Sequence, residues 1–201
     1  MSLSPRTSDC VIGVLAIQGD FAAHARVLER LGVRAVEVRR GLDLETTHGL
    51  IIPGGESTTI LKFITEERLA SSIREFSRTR PVFGTCAGAI LLARAVHNPD
   101  QPSLGLIDID VERNGYGRQV DSFIAQTETE LRGEPLEAVF IRAPRIRRVG
   151  SSVRVLATVF GEPILVSEGN ILAATFHPEL TEDDRVHGYF AEMVTGRKSA
   201  H

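Results

Sequence analysis

From residue 10 to residue 85 the chain alternates apolar, β-prone runs with amphipathic helical stretches, and this alternation restricts the fold more than any other feature. "CVIGVLAIQG" (10–19) is nearly continuous and apolar, the pattern of a strand buried on both faces. "DFAAHARVLERLG" (20–32) follows, with Phe21, Val27, Leu28 and Leu31 near helical spacing and Gly32 as a stop. "VRAVEV" (33–38), "GLIIPGG" (49–55) and "PVFG" (81–84) read as further strands, and "TTILKFITEERLASSIREFSR" (58–78) as one amphipathic helix. Strand-helix-strand order implies right-handed crossovers and a parallel sheet covered by helices. From about residue 104 the pattern becomes strand after strand, so hairpins are expected to extend the sheet. "EDDRVHGYFAEMVTG" (182–196) then closes as a helix, with Thr181 as its N-cap and acids in its first turn. The expected fold is α/β: a three-layer sandwich around a mixed, mainly parallel central sheet.

The 201 residues fit a single domain spanning 1–201, with 1–8 and 197–201 as loose tails. A net charge of -3 gives no electrostatic reason to expect nucleic acid or an anionic membrane as a partner. No apolar run reaches the roughly 18 residues of a membrane span, and "MSLSPRTSD" lacks the features of a signal peptide. Two cysteines, Cys10 and Cys86, cannot build a disulfide framework, which favours a cytoplasmic location.

In doubly wound sheets the functional loops gather at the carboxyl ends of the strands. Gly19, Pro53-Gly54-Gly55 and Gly84-Thr85-Cys86 all fall at such ends. "GTCAG" (84–88), between a strand and a helix, has the layout of a nucleophile elbow. Its turn strains the central residue and lifts that side chain clear of the sheet, while the flanking glycines remove Cβ atoms that would collide. A helix amino terminus stabilises the Cys86 thiolate, and the Ala87 amide is available to a developing oxyanion. Cys10, which opens the first strand in apolar surroundings, reads as packing.

A thiol nucleophile needs a base, and the base needs an orienting group. His177 stands in "AATFHPEL" (173–180), where Pro178 keeps it out of the helical region. In an extended segment His177 and Glu179 project to the same side, about 7 Å apart at roughly 3.3 Å per residue. Cys86, His177 and Glu179 are therefore the candidate triad. His24 reads as a surface or interface residue, His48 and His97 as loop residues, His187 as part of the last helix and His201 as terminal; none has an evident partner. "IIPGGESTT" (51–59) offers exposed amides and a helix capped by Ser57 or Thr58, a nest for an oxyanion or a carboxylate.

"PGGEST", "GTCAG" and "FHPEL", in this order and spacing, resemble the class I (triad) glutamine amidotransferases. "GVLAIQGDFAAH" (13–24), "RNGYGRQVDSF" (113–123) and "FIRAP" (140–144) are similar to the glutaminase subunit of pyridoxal 5′-phosphate synthase, and the likeness runs from about residue 10 to 196. The resemblance implies a flavodoxin-like fold and hydrolysis of L-glutamine to L-glutamate and ammonia through a γ-glutamyl thioester on Cys86, with neither cofactor nor metal. It implies an oxyanion hole from the amides of Gly55 and Ala87. It also implies a glutamine pocket lined by Gly55, Glu56, Ser57, Arg113, Ile141 and Arg142. A guanidinium suits the α-carboxylate and Glu56 suits the α-ammonium. The implied partner is a synthase subunit with a (β/α)8 barrel, in a large hetero-oligomer. "IRAPRIRR" (141–148) and the helix around His24 are the candidate contacts with it.

Two positions depart from the family pattern. Thr175 stands where glutamine often precedes Phe-His-Pro-Glu, and Ile124 stands where glutamate is expected after "DSF". A cysteine hydrolase of the γ-glutamyl hydrolase or DJ-1/PfpI type has a similar elbow but does not account for "RNGYGRQVDSF" together with "FIRAP". A non-catalytic interaction subunit is the other alternative. It requires a defect elsewhere, because all three triad positions are filled.

Overall fold

The computed structural model describes residues 10–113 and 122–196. The tails expected at 1–8 and 197–201, His201, and most of "RNGYGRQVDSF" lie outside the described residues. In chain order the elements are β1 (Val11–Leu15), α1 (Phe21–Arg30), β2 (Arg34–Val38), a 3-10 turn (Gly41–Thr46), β3 (Gly49–Ile52), α2 (Ser57–Glu66) and α3 (Leu69–Phe76). Next come β4 (Val82–Thr85), α4 (Ala87–Leu92), β5 (Ala93–His97), β6 (Ile107–Glu112), β7 (Ser122–Thr127) and β8 (Leu136–Ile141). The chain continues through β9 (Arg145–Val149), β10 (Arg154–Val159), β11 (Glu162–Glu168), β12 (Ile171–Ala174), a 3-10 turn (Pro178–Leu180) and α5 (Arg185–Thr195).

The main sheet has seven strands in the order β10-β11-β12-β4-β3-β1-β2. Its β12-β4-β3-β1-β2 part is parallel, and β10 and β11 add an antiparallel margin. Successive residues of the buried strands serve opposite faces, as the pleat requires. Leu50, Ile52 and Val82 join Ile60, Ile64, Leu69, Ile73 and Leu91 from α2–α4 on one face. Ile51 and Phe83 join Leu28 of α1, Phe140 of β8 and Phe190 of α5 on the other. The three expected layers are therefore present.

Three local expectations are corrected. The stretch 58–78 is two helices, because Arg68 takes a left-handed conformation (φ 56°) and turns the chain between α2 and α3. The later strands do not all extend the main sheet: β5-β6-β9 and β7-β8 form separate small sheets. Thr181 does not cap α5; its hydroxyl bonds Pro178 O and Asp183 N, the N-cap is Asp184, and the helix has no acid in its first turn. Among the described residues no helix is long and apolar enough to cross a membrane.

Candidate active site

The register of the parallel strands decides where the chemistry meets. β4 and β12 are neighbours, with Thr85 opposite Ala174. Cys86 follows the first and His177 lies three residues beyond the second, so both emerge at one end of the sheet. The Cys86 amide donates to Ala174 O at 2.8 Å, and the His177 amide donates to Val139 O of β8 at 2.8 Å. Two backbone bonds thus fix the two side chains on adjacent supports.

Cys86 has φ 49° and ψ -104°, a conformation L-residues rarely adopt, and it is the N-cap of α4. The glycines around it make the elbow possible. A Cβ on Gly84 would lie 2.6 Å from Gly88 C, and one on Gly88 would lie 1.9 Å from Ile52 O. Neither position tolerates a side chain, so α4 packs directly on its own strand and on β3. The Ala87 amide is among the first helix amides, which have no intrahelical partner.

His177 has φ -109° and ψ 83°, outside the helical region as Pro178 requires. The chain then turns instead of staying extended: Pro178–Leu180 is a 3-10 turn. That turn, and not a strand, brings Glu179 Oε1 to 2.8 Å from His177 Nδ1. Burial pulls the His177 pKa down, but its hydrogen bonds with Cys86 and Glu179 outweigh this and hold it up at about 10. The ring is therefore biased towards imidazolium between Cys86 and Glu179. The Cys86 Sγ also lies 3.9 Å from Ile141 O, at the end of β8. Cys10, by contrast, is fully buried and its thiol is pushed up to about 11 by burial, consistent with packing alone.

The glycine turn after β3 abuts this pair. A Cβ on Gly54 would lie 2.5 Å from His177 Cε1 and 3.4 Å from Cys86 Cβ. Gly55 has φ 143°, and Gly19, at the end of the β1 loop, packs so closely that its Cβ would reach within 1.8 Å of Gly54 O. All three glycine-bearing strand ends thus meet at one place.

α2 is capped by Glu56, not by Ser57 or Thr58. The Glu56 carboxylate accepts from the amides of Thr58 and Thr59, at 3.2 and 2.8 Å, and from both hydroxyls. These donors, the Thr58 hydroxyl first, hold its pKa down at about 2 despite partial desolvation. Arg113 Nη2 reaches the same carboxylate at 3.2 Å. Ser57 Oγ donates to Gln101 Oε1 at 2.9 Å, a partner the sequence did not reveal. Arg142 has φ 44°, a second strained residue directly after Ile141. Ile124 is 64% exposed on β7, with no burial for a polar group to serve.

The histidines need the largest correction. His24 is fully buried, not a surface residue, and His187 is equally buried. Their rings bond each other, Nδ1 of His24 to Nε2 of His187 at 2.9 Å. His24 Nε2 lies 3.3 Å from Thr85 Oγ1 and 3.6 Å from Glu179 Oε1. The signal was present: His24 falls three residues from Phe21 and from Val27, on the apolar stripe of its helix, and His187 three residues before Phe190. His48 Nδ1 accepts from the Val11 amide at 3.0 Å, and His97, on β5 and not in a loop, lies 3.5 Å from Asp100. The arginines of 145–148 are also committed within the chain. Arg145 pairs with Glu162, Arg147 with Glu112 and Glu162, and Arg148 with Asp108 and Asp110. This run is therefore not an unneutralised basic patch.

Residues 14–196 match the model of the SNO glutamine amidotransferase family. The chain is 58% identical over 189 residues to the pyridoxal 5′-phosphate synthase subunit PdxT of Solibacter usitatus, covering 91% of this chain and 98% of that one. It is 53% identical to the PdxT subunit of Thermus thermophilus, covering 92% and 97%. A crystal structure of a glutamine amidotransferase superposes with a TM-score of 0.86 at 49% identity, covering 91% of this chain and 98% of that one. PurLQS from Thermotoga maritima shares the fold, with a TM-score of 0.67 at 16% identity over 94% and 97% of the chains. With an elbow cysteine, a paired histidine and a glycine nest at one end of a parallel sheet, the chain belongs to the SNO glutamine amidotransferase family.

Proposed function

We propose that the chain is the glutaminase subunit of a pyridoxal 5′-phosphate synthase, hydrolysing L-glutamine and delivering the ammonia to a synthase subunit. The observation that carries this reading is the placement of Cys86, on a strained elbow, beside a histidine that Glu179 holds at 2.8 Å.

In this reading the Cys86 thiolate attacks the side-chain amide carbon of glutamine. The amides of Gly55 and Ala87 receive the oxyanion. The imidazolium of His177 gives its proton to the departing nitrogen, ammonia leaves, and a γ-glutamyl thioester remains. Water then attacks the thioester carbonyl as His177 takes its proton; the C–S bond breaks, glutamate leaves and the thiolate returns. Glu179 orients the ring and stabilises its charged form in both halves.

Because the Glu56 oxygens are already engaged by α2, its contribution to the pocket is to position Arg113 and to shape the nest. Arg113 is the group we assign to the substrate α-carboxylate, with Gly55, Ser57, Ile141 and Arg142 completing the pocket. The synthase partner is read as a (β/α)8 barrel in a large hetero-oligomer. We read the location as cytoplasmic, a reading that two unpaired cysteines support.

The experiment is ammonia release from L-glutamine by the purified chain, alone and with its synthase subunit, with Cys86→Ala as control. Release that rises on adding the synthase and vanishes in the variant supports the reading. Release that is absent in both mixtures overturns it. Labelling of Cys86 by 6-diazo-5-oxo-norleucine, suppressed by glutamine but not by γ-glutamyl peptides, separates a glutaminase from a γ-glutamyl hydrolase.

A further inference from the structure

Glu179 is buried, with 6% of its surface exposed, and its Oε2 has no hydrogen-bond partner among the described residues. A buried carboxylate that must stay ionised needs donors. Oε1 has one from His177. The next group reaching towards that oxygen is His24 Nε2, at 3.6 Å, on α1 and far from the triad in sequence.

The tautomer of His24 decides whether this approach helps or harms. His24 and His187 have one short contact between them, so one ring donates and the other accepts. If His24 Nδ1–H donated, its Nε2 lone pair would face the Glu179 carboxylate. His187 would then carry its proton on Nδ1, a buried atom with no partner among the described residues. A buried N–H without an acceptor and a lone pair facing an anion are both costly. If His187 Nε2–H donates, neither arises: His187 Nδ1 is left as an unpaired acceptor instead of an unpaired N–H, and the His24 proton is on Nε2. Thr85 Oγ1, 3.3 Å from the same nitrogen, then takes a share of that N–H beside Glu179.

We propose that His187 and His24 form a positioning relay for Glu179, in which His187 Nε2–H donates to His24 Nδ1 and thereby aims the His24 Nε2–H at Glu179 Oε1. The relay keeps the carboxylate's Oε1 turned to His177. Both rings act as neutral dipoles, because burial, and for His24 the neighbouring His187 and His177, disfavour their charged forms. Around His187, Asp184 and Arg30 act with opposite signs, and Phe83 meets the ring edge-on. Neither histidine touches the glutamine site; both act through Glu179.

This inference rests on the triad reading above, and the two fail in different ways. The first test needs no variant: nitrogen-15 NMR of the histidine rings in the intact wild-type chain. The expected result is neutral His24 protonated on Nε2. His24 protonated on Nδ1 would overturn the relay, whatever the triad does.

The second test measures glutamine turnover in the complex with the synthase subunit. His24→Leu is expected to lower kcat about tenfold with KM nearly unchanged, and His24→Gln, which keeps an N–H near the Nε2 position, to recover most of it. In a Glu179→Gln background His24→Leu should cost less than about twofold, because the group it serves is gone. An equal loss in both backgrounds would mean a structural effect only and would overturn the proposal. Should His24→Leu not fold, His187→Phe is read instead: it preserves the aromatic packing, removes the donor, and should lower kcat with the same dependence on Glu179. A Cys86→Ala chain that still releases ammonia would remove the triad reading and this inference together.

Discussion

His177 and His24 approach the same oxygen of Glu179, at 2.8 and 3.6 Å, from different elements of the fold. One follows β12 and faces a thiol at the glycine nest; the other lies on α1, sealed beneath the sheet end with His187. His177 is partly buried and His24 fully buried, yet their proton affinities move in opposite directions. Hydrogen bonds with Cys86 and Glu179 outweigh burial and raise His177 to about 10, whereas burial and two neighbouring histidines lower His24 well below its ordinary value. Burial alone therefore does not fix the charge of a histidine; the sign of what lines the cavity does. The front of Glu179 is built to carry charge through a reaction and the back to stay neutral.

The strongest way to break this contrast is to remove the front. Cys86→Ala should abolish ammonia release, a loss of at least about a thousandfold, while the chain still folds. His177→Asn should be nearly as severe. Glu179→Gln should retain more, a loss of roughly ten- to a hundredfold, because an orienting group acts only through the base. Steady-state assays with the synthase present measure all three. Equal residual turnover in the His177 and Glu179 variants would make Glu179 more than an orienter, and the front and back of the site would no longer be separable.

Titration of stability sharpens the comparison further. The folded pKa of His177 lies above its unfolded value of about 6.5, so its contribution is fully present below that pH and is lost as pH rises towards about 10. His187 runs the other way: burial lowers it to about 4. The native state resists its protonation, so stability is full above about pH 6.5 and falls as pH drops towards 4, by about 3 kcal/mol in all. Denaturant midpoints recorded from pH 4 to 10.5 should therefore show an acid limb that His187→Phe flattens and an alkaline limb that His177→Asn flattens. An acid limb unchanged in His187→Phe would mean that the His24–His187 pair is not held neutral.

The two sides were not equally legible in the sequence. The front is written in local patterns: glycines that a tight approach demands, a cysteine at a strand-helix junction, a proline that keeps His177 out of a helix. Each has one structural solution, so the elbow and the nest were readable. The pairing of His177 with Glu179 was also readable, although the carboxylate arrives by a 3-10 turn and not along a strand. The back depends on tertiary placement. His24 and His187 are 163 residues apart and meet only because α1 and α5 share a face of the sheet. Their places on apolar helical stripes marked them as buried, but nothing local marked them as a pair. The break at Arg68 was hidden similarly, since no glycine or proline announces its left-handed turn.

The smallest expected effect is the control for the whole contrast. His97 sits on β5 with its side chain 55% exposed, 3.5 Å from an Asp100 carboxylate that is 91% exposed. It has the same geometry of partners as the His177 pair in outline, a histidine beside a carboxylate, but water surrounds both groups. Exposed pairs of this kind contribute little, because solvent screens the attraction and holding two mobile side chains together costs entropy. His97→Ala should therefore change stability by less than about 0.5 kcal/mol, leave kcat unaltered, and leave both limbs of the pH–stability curve where they were. A loss above about 1 kcal/mol, or a displaced alkaline limb, would show that proximity to a carboxylate suffices without burial. In that case the difference between the two sides of Glu179 would have to come from their partners alone and owe nothing to the exclusion of water.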